Sequence, residues 1–259
     1  MNKRSLLNKL GKRYPKKLQE WYDHCGKQTG ENKTTEIKKV VLALDYNMKV
    51  FEYAKEIQPD LIITHHPFIF GTYKKVLNRD PIKNMVNNLT LQYLHCDVYS
   101  YHTCFDNALN GMNDALTEAL ELKNVRGAKE VKDPAIRIGD LPYEMSLVEL
   151  SKYIKEKLNV SYALLMTNNK DKRVKNMAIV GGGASGYYMD AYNEGADVYV
   201  SGDCAHHTRR EVLDMDYNYI DIPHECEKIF LKKMKEVLEE IDPSLEIYPY
   251  YDQKEALVI

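Results

Sequence analysis

The sequence predicts an α/β fold. Short β-branched runs alternate with stretches whose apolar residues recur at helical spacing. The connections between them are short, and the first clear strand–helix–strand unit calls for a parallel pair joined by a right-handed crossover. At 259 residues the chain has room for one large domain or two small ones.

The elements follow in order. Leu6, Leu7, Leu10, Tyr14, Leu18 and Trp21 mark one helical face over residues 5–25, interrupted at Pro15. "GKQTGENKTT" (26–35) reads as a loop from its turn residues. "IKKVVLAL" (37–44) is a buried strand ending at Asp45, "NMKVFEYAKEI" a helix, and "DLIIT" (60–64) the next strand. A helix near 81–92 leads to a strand in "DVYSYHT" (97–103), and another helix spans about 112–122. The charged stretch "KNVRGAKEVKDP" (123–134) marks the boundary between lobes. Beyond it come a helix at 146–158, strands near 162–166 and 174–180, the turn "GGGASG" (181–186) and a further helix. Strands in "ADVYVSGD" (196–203) and "YNYIDI" (217–222) follow, then a helix over 224–241. That helix carries Phe230, Met234, Val237, Leu238 and Ile241 on one face. The expected division is a first lobe over 1–128, a second over 129–215, and a segment 216–259 returning to the first.

Composition narrows the function. Hydrophobic residues are 44% and charged residues 29%, as in ordinary globular proteins. Thirty-six Lys+Arg balance 38 Asp+Glu, which removes any chain-wide attraction for nucleic acid; "LGKRYPKK" and "HHTRR" are the only local basic candidates. No apolar run approaches the roughly 18–20 residues that span a bilayer, and the basic N-terminal stretch lacks the apolar core of a secretory signal. Five cysteines without C-x-x-C spacing suit reduced thiols. A cytoplasmic protein with no membrane partner is the expectation.

Four strand ends carry side chains that bind metals. They are Thr64-His65-His66; His102 with Asp106; Asp203 with His206 and His207; and His224 followed three residues later by Glu227. The last spacing places both side chains on one helical face. Each cluster alone also has a plain structural explanation: a surface histidine pair, an Asp106 cap, or a solvated first helical turn. Together, mixed imidazole and carboxylate donors suit Zn, Mn, Fe or Co. "GGGASG" matches no phosphate-loop pattern and serves equally well as a tight strand-to-helix turn.

Five of these stretches, in this order, resemble the NGG-one-interacting-factor-three-like family, also called GTP cyclohydrolase 1 type 2 homologues. "WYDHCGKQTG" is similar to its W-D-N-x-G-x-x-x-G element and "LIITHHPFIF" to its most recognisable segment. "YSYHTCFDNALNGMND" is similar to its H-T-N-x-D…G-x-N-D segment, with Cys104 where the family has Asn. "IVGGGASGYYMDAYNEGADVYVSGDCAHH" and "IPHECEK" complete the set, Pro223 replacing a Gly. The resemblance implies a two-lobed α/β unit with mixed sheets flanked by helices, assembled as a toroidal homohexamer. It implies two divalent transition-metal ions held by His65, His66, Asp106, His224 and Glu227, with His102 and His207 lining the site as catalytic groups or proton carriers. The expected activity is metal-dependent hydrolysis of GTP, another nucleotide or a small phosphoester. A non-catalytic metal-binding ring is the alternative.

Overall fold

The computed structural model describes residues 1–31, 35–127, 135–251 and 257–258. They fall into two units, Met1–Ala108 with Phe230–Gln253, and Leu109–Ile229 with the C-terminal residues.

The first unit opens with α1 (Lys3–Arg13), whose Asn2 side chain accepts a hydrogen bond from the Ser5 amide and caps the first turn. Pro15 then separates α1 from a short 3-10 turn at Lys16–Leu18. The elements that follow are β1 (Gly26–Gly30), β2 (Lys39–Ala43), α2 (Met48–Ile57), β3 (Leu61–Thr64), α3 (Tyr73–Arg79), α4 (Pro81–Tyr93), β4 (Asp97–Ser100) and α5 (Thr103–Asp106). The second unit contains α6 (Met112–Ala119), β5 (Lys123–Gly127), β6 (Arg137–Ser146), α7 (Leu147–Leu158), β7 (Leu164–Met166), β8 (Arg173–Ile179), α8 (Tyr188–Asn193), β9 (Tyr199–Ser201), α9 (His206–Asp214) and β10 (Tyr219–Asp221). After a 3-10 turn at His224–Lys228, α10 (Ile229–Ile241) and β11 (Glu246–Pro249) return the chain to the first unit.

In the first unit the strand order is β1-β4-β3-β2-β11. All neighbours are parallel except β1, which runs antiparallel to β4. The central strand β3 is buried at every position, as a strand covered on both faces must be. Its core includes Val41, Ile62 and Val98 from the sheet with Val50, Phe51 and Val86 from the helices. In the second unit the order is β5-β6-β8-β9-β10-β7. There β8, β9 and β10 are mutually parallel, while β6 and β7 pair antiparallel.

One expectation of local structure changes. Residues 26–30 are not a loop but the edge strand β1. Gly26 and Gly30 adopt positive φ there, and a Cβ on Gly30 would stand 2.2 Å from the Cys96 carbonyl oxygen, so turn residues are what this close pairing requires. Residues 32–34 of that stretch and 128–134 of the expected lobe boundary lie outside the described residues. Residues 109–127 and 216–229 belong with the second unit, because β5 and β10 are strands of its sheet. All five cysteines are unpaired and buried, three in the first unit and two in the second.

Candidate metal centre

Both units place their reactive side chains where open α/β sheets usually do, beyond the carboxyl ends of parallel strands. In the first unit the chain leaves β3 at His65 and His66, whose amides donate to the carbonyls of Ala43 (3.2 Å) and Leu44 (3.0 Å). The ladder thus continues two residues past the strand and holds both backbones at the middle of the sheet. Beyond β4, the Tyr101 amide donates to the Thr64 carbonyl at 2.9 Å, which sets His102 alongside. His102 precedes the single turn of α5, and the Asp106 amide donates back to its carbonyl at 3.2 Å.

One donor nitrogen from each of His65, His66 and His102 lies within 4.8 Å of the others. Asp106 Oδ1 stands 3.6 Å from His65 Nε2. One nitrogen of every ring is engaged by an oxygen. His65 Nδ1 donates to the Tyr101 carbonyl at 3.0 Å, His66 Nδ1 to Asp45 Oδ1 at 2.8 Å, and His102 Nδ1 to Asp23 Oδ1 at 2.8 Å. Because those oxygens can only accept, the proton of each neutral ring sits on Nδ1 and the lone pair on Nε2. A carbonyl or carboxylate behind each imidazole is the arrangement that orients a metal-ligating histidine.

Packing fixes the rings further. His65 is fully buried, with Phe230 5.2 Å and Phe105 6.4 Å away between ring centres. Asp23 is buried and also accepts from the Thr103 amide (3.0 Å), the Thr103 hydroxyl and the Cys25 thiol (3.0 Å). Burial alone would raise its pKa; the hydrogen bonds from His102, Thr103 and Cys25, joined by the charge of His102 whenever that ring is protonated, outweigh this and hold the carboxyl far below the usual range.

In the second unit, three parallel strands end together. Residues 181–183 follow β8, Asp203 follows β9, and His224 follows β10. His224 Nδ1 donates to Asp203 Oδ2 at 2.7 Å, and its Nε2 lies 3.1 Å from Glu227 Oε2. Asp203 reaches this position with φ +53, a left-handed backbone. The glycine turn wraps the pair closely: a Cβ on Gly182 would stand 2.2 Å from Glu227 Oε1 and 3.2 Å from His224 Nε2. The Gly181 amide is committed inward, donating to Asn113 Oδ1 at 2.8 Å. The turn therefore serves close packing.

The first unit thus joins His65, His66, His102 and Asp106, and the second joins His224 and Glu227. His207 is exposed in the first turn of α9, with no hydrogen bond to Asp203, His224 or Glu227. Sequence reasoning missed Asp23 and Asp45 as orienting groups. Asp23 lies within the quoted "WYDHCGKQTG", and Asp45 closes the β2 run, but neither carries a spacing signal toward its histidine. The donor set, imidazole Nε2 atoms with carboxylates, fits a divalent transition metal.

The profile of the Duf34/NIF3 (NGG1p interacting factor 3) family matches residues 1–253. A Clostridium perfringens protein named GTP cyclohydrolase 1 type 2 homolog is 31% identical over 257 residues, covering 95% of each chain. A Methanocaldococcus jannaschii protein of the same name is 31% identical over 231 residues, covering 86% of this chain and 89% of its own. Among solved structures, a Bacillus cereus protein related to NIF3 superposes with a TM-score of 0.89 at 20% identity, covering 100% of this chain and 99% of the other. That likeness establishes the fold.

Proposed function

Because the chain belongs to the Duf34/NIF3 (NGG1p interacting factor 3) family, we propose that it is a metal-dependent hydrolase acting on a nucleotide or a related phosphoester. The observation that carries this is a shared arrangement: in four histidines Nδ1 lies within hydrogen-bond distance of a carbonyl or carboxylate oxygen, which leaves Nε2 for a cation. Structural histidines have no need of such uniformity. The proposed ligands are His65, His66 and Asp106 from the first unit and His224 and Glu227 from the second, for two divalent ions such as Zn, Mn, Fe or Co. The names of the curated relatives support GTP as the first substrate to try.

Bound cations would lower the pKa of water toward neutrality and polarise the substrate. The chain's own residues do the remainder. Asp23 and Asp45 keep the His102 and His66 rings turned toward the centre, and the aromatic packing around His65 excludes water behind it. His102 is close enough to ligate and equally placed to carry a proton. His207, exposed, is proposed only as a proton carrier to bulk solvent.

Metal analysis of protein purified without added metal or chelator tests this directly. About two equivalents of a transition metal per chain is expected, with loss in Asp106→Ala and in His65→Ala. No metal, and no uptake on titration with Zn, Mn or Fe, sinks the proposal. Stoichiometric metal without turnover of GTP or phosphoesters would favour a metal-handling protein. His102→Gln separates the two roles of that residue: loss of metal marks a ligand, and retained metal with a shifted pH–rate profile marks a proton carrier. Light scattering would test the proposed homohexamer.

A further inference from the structure

An aromatic ledge runs from solvent to the first unit's histidine cluster. The Trp21 and Tyr22 rings meet edge to face at 5.6 Å, Tyr22 and Phe70 are 6.4 Å apart, and Phe70 is 6.5 Å from the His102 imidazole. His24 packs edge-on against Phe70 at 5.4 Å. Trp21 is 92% exposed, Phe70 45% and Tyr22 44%. Contiguous aromatic surface left in water is unfavourable, and such surface marks sites that something else covers.

The ledge is braced. Asp23, between Tyr22 and His24 in the chain, is the same buried carboxylate that orients His102. Gln28 ties the two segments together, donating to the His24 carbonyl at 2.7 Å and accepting from the Ile69 amide at 2.9 Å. The backbone segments that carry Tyr22 and Phe70 therefore hold a set position relative to the imidazoles.

We propose that Trp21, Tyr22 and Phe70 form a stacking subsite for a planar heteroaromatic ring, such as a nucleobase, carried by the substrate. Placing that substrate's reacting group at the histidines rests on the metal-centre reading above; the stacking subsite itself does not. Exposed aromatic faces bind bases through their π-faces with little regard to base identity. A planar body with a polar, reactive end matches a ledge that ends on an imidazole. A second protein chain seated on the ledge would instead cover the approach to His102.

Trp21 is the only tryptophan in the chain, so its fluorescence reports on this surface alone. The full-length protein, both chelator-treated and zinc-loaded, would be titrated with guanosine monophosphate, adenosine monophosphate and, as a ringless control, ribose 5-phosphate. Saturable quenching by both nucleotides and none by ribose 5-phosphate is expected. Phe70→Ala should weaken Kd by about tenfold, with Phe70→Tyr restoring it. No saturable quenching in either metal state overturns the proposal, as does equal quenching by ribose 5-phosphate. Emission that follows protein concentration but ignores nucleotide would assign the ledge to contact between copies, which also overturns it. Metal content is measured separately, so a failed metal centre and a failed stacking subsite give different results.

Discussion

Asp23, Asp45 and Asp203 each accept a hydrogen bond from a histidine Nδ1, and that modest role has measurable weight. Asp45 is about half-exposed, so removing it should leave the fold alone while freeing the His66 ring. Asp45→Ala is expected to weaken metal affinity about 10- to 100-fold, read by competition with a chromophoric chelator. Gly182→Ala should act differently, because φ is +66 and the new methyl would collide with Glu227. A loss of more than about 1 kcal/mol in stability is expected, seen as a lower melting temperature, together with weaker metal uptake. The histidines and their nearby carboxylates were legible in the sequence because residue type and strand-end position coincide. The orienting aspartates were not, since Asp23 meets His102 from 79 residues away and no local pattern encodes that.

Elements were legible where periodicity was long. α7 was expected at 146–158 and is found at Leu147–Leu158, started by a capping box in which Ser146 and Glu149 bond each other's backbone. Ser146→Ala should cost about 1 kcal/mol, a drop of about 2–4 °C in melting temperature for a protein of this size. The parallel runs β2 and β3 were equally plain, being apolar except for Lys39 at the start of one and Thr64 at the end of the other. β1 was hidden because its glycines, needed for contact with β4, look like turn signals. β6 was also missed: Gly139, Asp140, Pro142 and Glu144 interrupt any apolar run, and its pairing with β8 shifts register between Asp140 and Met145. Such strands exist through their partners rather than through their own sequence.

For the whole molecule, the fold class follows from the alternation of apolar runs and family membership from the order of short motifs, and the profile match over residues 1–253 with the superposition on a solved relative bears them out. If the proposed centre binds metal, loading it must stabilise the native state by linkage. At a free metal concentration one hundred times Kd the gain is about 2.7 kcal/mol, so a chelator should lower the melting temperature of the purified protein and Zn should restore it. An Asp106→Ala variant should show neither shift.

The buried thiols carry a last consequence. A sulfhydryl reagent can reach a buried sulfur only when the surrounding structure opens, so each cysteine works as a clock for that event. Cys25, Cys96 and Cys104 keep time for one unit, and Cys204 and Cys226 for the other. Modification of all five at a single rate would describe a molecule that breathes as one body. Two distinct rates would describe two halves that open independently, each with its own stability.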